Sequence, residues 1–138
     1  MRERCYSKND KRYDRYGGRG IKVCERWINS FSNFYEDMGP KPSSRHSIDR
    51  INNEGNYEPS NCRWATPQVQ MINRGLLKSN KSGYAGIYFY KHGVNKWHAS
   101  IRRNNKRVNL GYFNTLELAV NARKLAEIKY YKPLLSAR

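Results

Sequence analysis

Acidic side chains are scarce in this chain: 11 Asp and Glu stand against 27 Lys and Arg, a formal net charge of +16 over 138 residues. A field of that sign gathers phosphates, so a nucleic acid is the expected partner and a merely solubilising surface the alternative. Long apolar runs are missing too, and none approaches membrane-spanning length. Residues Met1 to Asp10 lack the apolar core of a secretory leader, so a cytoplasmic, nucleoid-associated protein is expected. No helical segment joins a basic face to a broad Leu, Phe or Trp face, which argues against insertion into an anionic membrane surface. Cysteine is sparse: Cys5, Cys24 and Cys62 are odd in number, far apart, and include no C-x-x-C pair. Closely spaced ligands are what fix a zinc tetrahedron, so reduced, mostly buried thiols are expected. A zinc site shared by the three cysteines and His46 is the alternative.

The charge that is present lies unevenly. Residues 1–74 hold 14 basic and 9 acidic residues, a net of +5; residues 75–138 hold 13 and 2, a net of +11. Residues 11–28 mix Tyr, Arg and Gly and read as a tight turn before a short extended piece. A helix follows, capped by Asn29 or Ser30, with Phe31, Phe34, Tyr35 and Met38 at helical spacing and Gly39-Pro40 as its stop. That stripe reads as core rather than as a base-stacking platform. Asp37 opposes the dipole at the helix end. Residues 40–60 are loop-like around a brief extended piece at 47–51. Thr66 as cap and Pro67 at the first helical position start a helix running to about Arg74. The expected organisation is a module over 1–74, a basic linker over 75–83, a second module over 84–132 and a tail over 133–138, with no internal repeat.

The second module carries the clearest pattern. Strands are expected near 85–90, 96–103 and 106–112, with turns at Gly93 and Asn104-Asn105. In the segment 96–103, Trp97, Ala99 and Ile101 point one way and His98, Ser100 and Arg102 the other. One face can then cover a helix while the other meets a polyanion. Asn114-Thr115-Leu116-Glu117 reads as a capping box with Asn114 as cap. The helix after it presents Ala119, Ala122 and Ala126 with Leu118 and Leu125. The core would be Ile87, Phe89, Trp97, Ala99, Ile101, Val108 and Leu110, small enough to leave this unit marginal alone.

Gly86-Ile87, the K-W-x-A-x-I-R run at 96–102, the L-G-x-F-x-T-x-x-x-A run at 110–119 and the strand 107–113 together resemble an AP2-type DNA-binding domain, over about residues 82–131. The resemblance implies a three-stranded antiparallel sheet packed on one helix, its exposed face in the major groove of double-stranded DNA. Carried over by position, the DNA face is Tyr88, Tyr90, His98, Ser100, Arg102, Arg107 and Asn109. Arg102 and Arg107 suit guanine edges and Asn109 suits adenine. Lys91, Arg103 and Lys106, near the turns, suit phosphates. Tyr88 and Phe89 stand where plant members carry arginines, so base preference does not carry over.

In the first module, His46-Ser47-Ile48-Asp49, Asn56 and Asn61-Cys62-Arg63-Trp64-Ala65-Thr66-Pro67 resemble the HNH pattern of phage homing endonucleases, in which such a module often precedes an AP2-like one. The resemblance implies a ββα-metal fold: two strands and a helix around one Mg²⁺ or Mn²⁺, with a histidine deprotonating the attacking water. On that pattern His46 fills a metal-ligand slot, Ser47 the general-base slot and Gln70 the helix-ligand slot. Asn56 and Asn61 match the asparagines that pin the loop. The spacing from Asp49 to Asn61 is two residues longer than usual. Serine accepts no proton near neutral pH without its own base. Glutamine offers its carbonyl one carbon further out than asparagine. A slipped register would make His46 the base, with Asp49 and Asn73 or Gln70 as ligands, but strand alternation puts His46 and Ser47 on opposite faces. The chain thus reads as an α+β, two-module, sequence-related double-stranded DNA-binding protein of phage or mobile-element type, its HNH-like module degenerate and needing no cofactor to bind. The alternatives are a metal-dependent nicking or homing endonuclease with His46, Ser47 and Asp49 as catalytic residues, and an RNA binder suggested by the abundance of tyrosine.

Overall fold

Two sheet-and-helix units arise from where the strand patterns and helix stops fall. The computed structural model describes residues 1–94 and 96–136, and the chain divides into Met1–Asn73 and Arg74–Arg138. Each unit is mixed α and β with one small antiparallel sheet, of two and three strands respectively. Among the described residues no helix is long and apolar enough to cross a membrane.

The first unit contains α1 (Arg2–Tyr6), two 3₁₀ turns (Tyr13–Arg15 and Gly17–Arg19), α2 (Glu25–Ile28), α3 (Phe31–Met38), β1 (Ser47–Arg50), β2 (Cys62–Ala65) and α4 (Pro67–Asn73). Its core is Cys5, Ile21, Val23, Trp27, Tyr57 and Cys62. Ser30, not Asn29, caps α3: its Oγ accepts from the Asn33 amide at 3.2 Å. Asp37, ill-placed for the dipole, is held by Arg26 Nε at 2.8 Å and Trp27 Nε1 at 2.7 Å, which together keep its carboxyl below its usual range. Of the aromatic stripe, Phe34 and Met38 pack on the core while Phe31 and Tyr35 stay exposed.

The long loop between β1 and β2 is held by its asparagines, which stand in for a ladder. Asn61 donates through Nδ2 to the carbonyls of Asn52 (3.1 Å) and Asn56 (2.8 Å), and its Oδ1 accepts from the Asn52 amide at 2.8 Å. Asn56 Oδ1 accepts from the Lys22 amide at 2.9 Å, which ties the loop to the extended piece at Val23. Arg50 is buried, donating to the Gly55 carbonyl at 2.7 Å. With Arg4 it flanks the stacked rings of Tyr16 and Tyr57, whose faces offset the buried charge. All three cysteines are free; Cys5 and Cys62 are buried, and burial pushes the Cys62 thiol up to about 11. Among the described residues no group of three or more His, Cys, Asp or Glu can hold a metal ion, so the shared zinc site with His46 does not form.

The second unit begins earlier than the sequence suggests. Part of the expected linker is built into it: Ser82 Oγ donates to the Ile87 carbonyl at 2.8 Å, and Asn80 Nδ2 to the Tyr84 carbonyl at 2.9 Å. Strands β3 (Ile87–Phe89), β4 (Trp97–Arg103) and β5 (Lys106–Phe113) lie in that order, followed by α5 (Leu116–Tyr130). A short helix, α6 (Lys132–Ser136), occupies most of the expected tail. The Asn104-Asn105 turn has both residues at positive φ, as a two-residue hairpin of this hand requires. Thr115, rather than Asn114, caps α5, its Oγ1 accepting from the Leu118 amide at 3.3 Å.

The core of this unit is Ile87, Ala99, Ala119 and Val120, lined by Trp97, Leu110, Phe113 and Leu116. Phe89 is not in it; at the end of the edge strand it lies half open against Trp97. Leu118 and Leu125 also face outward, because α5 turns Ala119, Val120, Arg123 and Ala126 inward. The phase has a cause. Strand β4 outruns β3, which pairs with it only at residues 97–99; the Ser100 amide still reaches the Gly86 carbonyl at 2.8 Å. Beyond that the strand has no third neighbour, and α5 completes it. Arg123 Nη1 donates to the Ser100 carbonyl. The hydroxyl of Tyr131, just past α5, accepts from the Arg102 amide at 3.3 Å and donates to the Arg102 carbonyl at 3.0 Å. A Cβ on Gly86 would collide with the Arg123 guanidinium, so only glycine fits there. Tyr131→Phe keeps the ring and strands both Arg102 groups. It should lower the stability of this unit by about 1–3 kcal/mol in a urea titration; wild-type stability would show that the hydroxyl does not complete the strand.

Candidate nucleic-acid interface

The face of the sheet away from α5 is organised in cross-strand rows. The β4–β5 ladder slips once: Ala99 pairs with Gly111 and Ser100 with Asn109, leaving Leu110 as an extra residue in β5. Gly111, at φ +122°, absorbs the bulge. The slip changes the phase of the strand. Val108, Leu110 and Phe113 turn toward the helix, while Arg107, Asn109 and then Tyr112 turn outward. Tyr112 was not among the residues expected from the sequence; a glycine inside an apolar strand was the signal for it.

The first row is aromatic. Tyr88, His98 and Tyr112 lie opposite one another across the three strands, with ring centroids 6.5 and 4.7 Å apart. Tyr90 joins it, 5.6 Å from Tyr112. The second row is Ser100 and Asn109, and the third is Arg102 and Arg107. Ser100 is recessed at 3 % exposure and presents no hydroxyl to a ligand, contrary to the alternation argument. Arg103 lies over the Tyr130 ring, 5.0 Å from its centroid, and so belongs to the helix side with Lys106 paired opposite it. Both are exposed at the hairpin end rather than on the outer face.

Two features of this face decide what it can bind. Arg102 and Arg107 are like charges directly opposite one another, a pairing that costs stability unless an anion joins them. Among the described residues of this unit the one ion pair is Arg123–Glu127, so no carboxylate screens them. Asn109 is the second. Its Oδ1 accepts from the Gly111 amide at 2.9 Å and from His98 Nε2 at 3.0 Å. A backbone amide only donates, so that atom is the oxygen, and His98 carries its proton on Nε2. Asn109 then offers a ligand only its Nδ2 donors. The bidentate adenine contact needs an acceptor beside a donor, so that expectation is withdrawn. Acceptor-bearing edges suit it instead: guanine N7 and O6, or thymine O4.

In the amino-terminal unit, β1 and β2 pair from Ser47 opposite Ala65 to Arg50 opposite Cys62, and α4 starts at once after β2. Two amides clip α4 to β1. Gln70 Nε2 donates to Ser47 Oγ at 2.7 Å and to the Ser47 carbonyl at 3.3 Å. Asn73 Nδ2 donates to the Arg50 carbonyl at 2.6 Å and to Asp49 Oδ2 at 3.2 Å. Carbonyls only accept, so both side chains turn nitrogen, not oxygen, toward the strand. Asp49 Oδ2 also accepts from Nε and Nη2 of Arg63, each at 3.2 Å. His46 precedes the strand, and its Nδ1 lies 2.9 Å from Ser43 Oγ. A divalent metal needs converging oxygen or imidazole lone pairs. Here the base slot and the helix-ligand slot, Ser47 and Gln70, hydrogen-bond to each other, and a guanidinium already balances Asp49. The donors do not fit the metal in either register, whether His46 and Gln70 are the ligands or, with His46 as base, Asp49 and Asn73 or Gln70. Arg63 was not expected as Asp49's partner; the signal for it was its place directly across the hairpin.

No protein-family model, curated protein or solved structure matches the chain. Millimolar Mg²⁺, Mn²⁺ or chelator should leave the melting temperature of the amino-terminal unit unmoved, since a ligand that binds only the folded state would raise it. Arg63→Ala should lower its stability by about 1–3 kcal/mol by stranding a half-buried carboxylate. A clear Mn²⁺-dependent rise in melting temperature would overturn the assignment of Asp49 to Arg63.

Proposed function

We propose that the chain is a double-stranded DNA-binding protein that lays the outer face of its AP2-like β3–β4–β5 sheet in the major groove. The observation that carries this reading is the unscreened pair Arg102 and Arg107, directly opposed on an exposed face in a half-chain of net charge +11. Three strands spaced about 4.8 Å apart make a face some 10 Å across, which matches a groove about 12 Å wide. Each guanidinium can grip guanine O6 and N7, and Asn109 adds donors beside them. Lys91, Arg103 and Lys106, exposed toward the turns, are placed for phosphates.

The amino-terminal unit, read as a degenerate relative of the HNH fold, grips the DNA backbone without cutting it. The donor geometry around Ser47, Asp49 and Gln70 supports that part: hydrogen bonds within the protein occupy the positions that a metal and a base would use. Two weak binders on one chain raise each other's effective concentration, which suits a protein that occupies or regulates a DNA site.

Once a preferred duplex has been selected from a randomised pool, Arg102→Ala should lose about 1–3 kcal/mol of discrimination at one base pair. Lys106→Ala should weaken all duplexes alike; equal effects of the two changes would show that the reading face is misassigned. Supercoiled plasmid incubated with the protein and Mg²⁺ or Mn²⁺ should stay intact. Nicking that requires the metal and disappears in His46→Ala would establish the endonuclease instead.

A further inference from the structure

Tyr88, Tyr90 and His98 were expected on the DNA face, yet their rings make none of the base-edge contacts assigned to Arg102, Arg107 and Asn109. Tyr88, Tyr90 and Tyr112 are 49, 46 and 47 % exposed, on the face opposite the core. With His98 between them they form one continuous band of rings across the sheet. Paired bases show a protein their edges, whereas an unpaired base can lay its face against a half-exposed ring. Position separates the centre of the band from Arg102 as well. His98 and Arg102 are four residues apart on β4, about 13 Å along the strand. That is about four base-pair steps along a duplex whose strands rise 3.4 Å per nucleotide.

We infer that this row is a stacking site for unpaired DNA bases next to the duplex held by Arg102 and Arg107, so that the preferred ligand carries single-stranded nucleotides beside a paired segment. The inference rests on the duplex reading above. Its chemistry is complementary throughout. Base-on-ring stacking tolerates any sequence, because every base has a face. Lys96 lies opposite Tyr90, whose amide donates to its carbonyl at 2.6 Å; it and Lys91 are exposed and flank the rings with charge for the phosphates of the unpaired strand. Arg107 lies 5.9 Å from the Tyr88 ring centroid and joins the cationic row to the aromatic one. The acidic residues of this half of the chain, Glu117 and Glu127, are both on α5, behind the sheet. The bulge serves the site directly, since it is the change of phase at Gly111 that brings Tyr112 outward.

The test uses the full chain and four fluorescent ligands: a fully paired duplex, the same duplex with a three-nucleotide overhang, the single DNA strand, and an RNA strand of the same sequence. The overhang should tighten binding at least tenfold over the paired duplex. Tyr112→Ala should bring that ratio close to one, and Tyr112→Phe, which keeps the ring, should preserve it. Arg102→Ala should weaken both duplex ligands and leave the ratio standing. Equal affinity for paired and overhanging DNA, or a gain that survives Tyr112→Ala, overturns the stacking site and leaves the duplex reading intact. Preference for the RNA strand overturns it as well. Failure to bind any of the DNAs removes the duplex reading and the inference with it.

Discussion

Strand β5 carries one residue more than β4 between the Ala99 and Ser100 pairings, and Gly111 takes up the excess at a φ that other residues rarely adopt. Both faces of the sheet depend on that bulge. Inward, it lets Leu110 and Phe113 reach the helix from positions an unbroken alternation would set on opposite faces. Outward, it puts Tyr112 in line with Arg107 and Asn109 and frees the Gly111 amide to bind Asn109 Oδ1. That last bond propagates: it fixes the asparagine, which fixes the proton on His98, which leaves a face rich in donors. Behind it, Arg123 and Tyr131 complete a strand that has lost its neighbour. Arg102 therefore sits on backbone whose amide and carbonyl are both hydrogen-bonded although it projects beyond the edge strand.

The amino-terminal unit ties its hairpin and its helix together through side-chain amides. The hairpin, the loop pinned by Asn61 and Asn56, and the helix started by Thr66-Pro67 all form. The polar groups between hairpin and helix close on one another. Ser47 meets Gln70, and Asp49 meets Arg63 and Asn73. Such a network helps to hold α4 on the strands. Half-buried polar groups are costly when half satisfied, so Asp49, Arg63 and Asn73 are constrained as a set.

Much of this was legible in the sequence, and the rest failed for physical reasons. Ser30, Gly39, Thr66, Pro67 and the two turn asparagines act locally, through caps and turns, and local chemistry reads directly from sequence. The run from Trp97 to Ile101 was readable because alternation reports which residues one face buries. Beyond the bulge that logic breaks: Tyr112 was missed because its side depends on an extra residue whose presence is decided by pairing. Ser100 lies on the expected face yet is covered, since exposure depends on the size of neighbours and not on periodicity. Leu118 and Leu125 misled because the phase of α5 is set by Arg123 reaching the open edge of β4, a polar demand that hydrophobic spacing does not show. Asn109 and Gln70 have the right side chains for adenine and for a metal, but which end of an amide faces outward is set by its partners.

Duplex DNA is proposed to meet the outer face of the carboxy-terminal sheet. The direct measurement is a nuclear magnetic resonance titration of the chain with duplex DNA, following the Nε–H signals of Arg102 and Arg107, the Nδ2 protons of Asn109 and the methyl groups of Leu118 and Leu125. The arginine and asparagine signals should move with added duplex while the two leucines on the exposed side of α5 stay in place. Shifts confined to those leucines, or none in the arginines at saturating DNA, would contradict it.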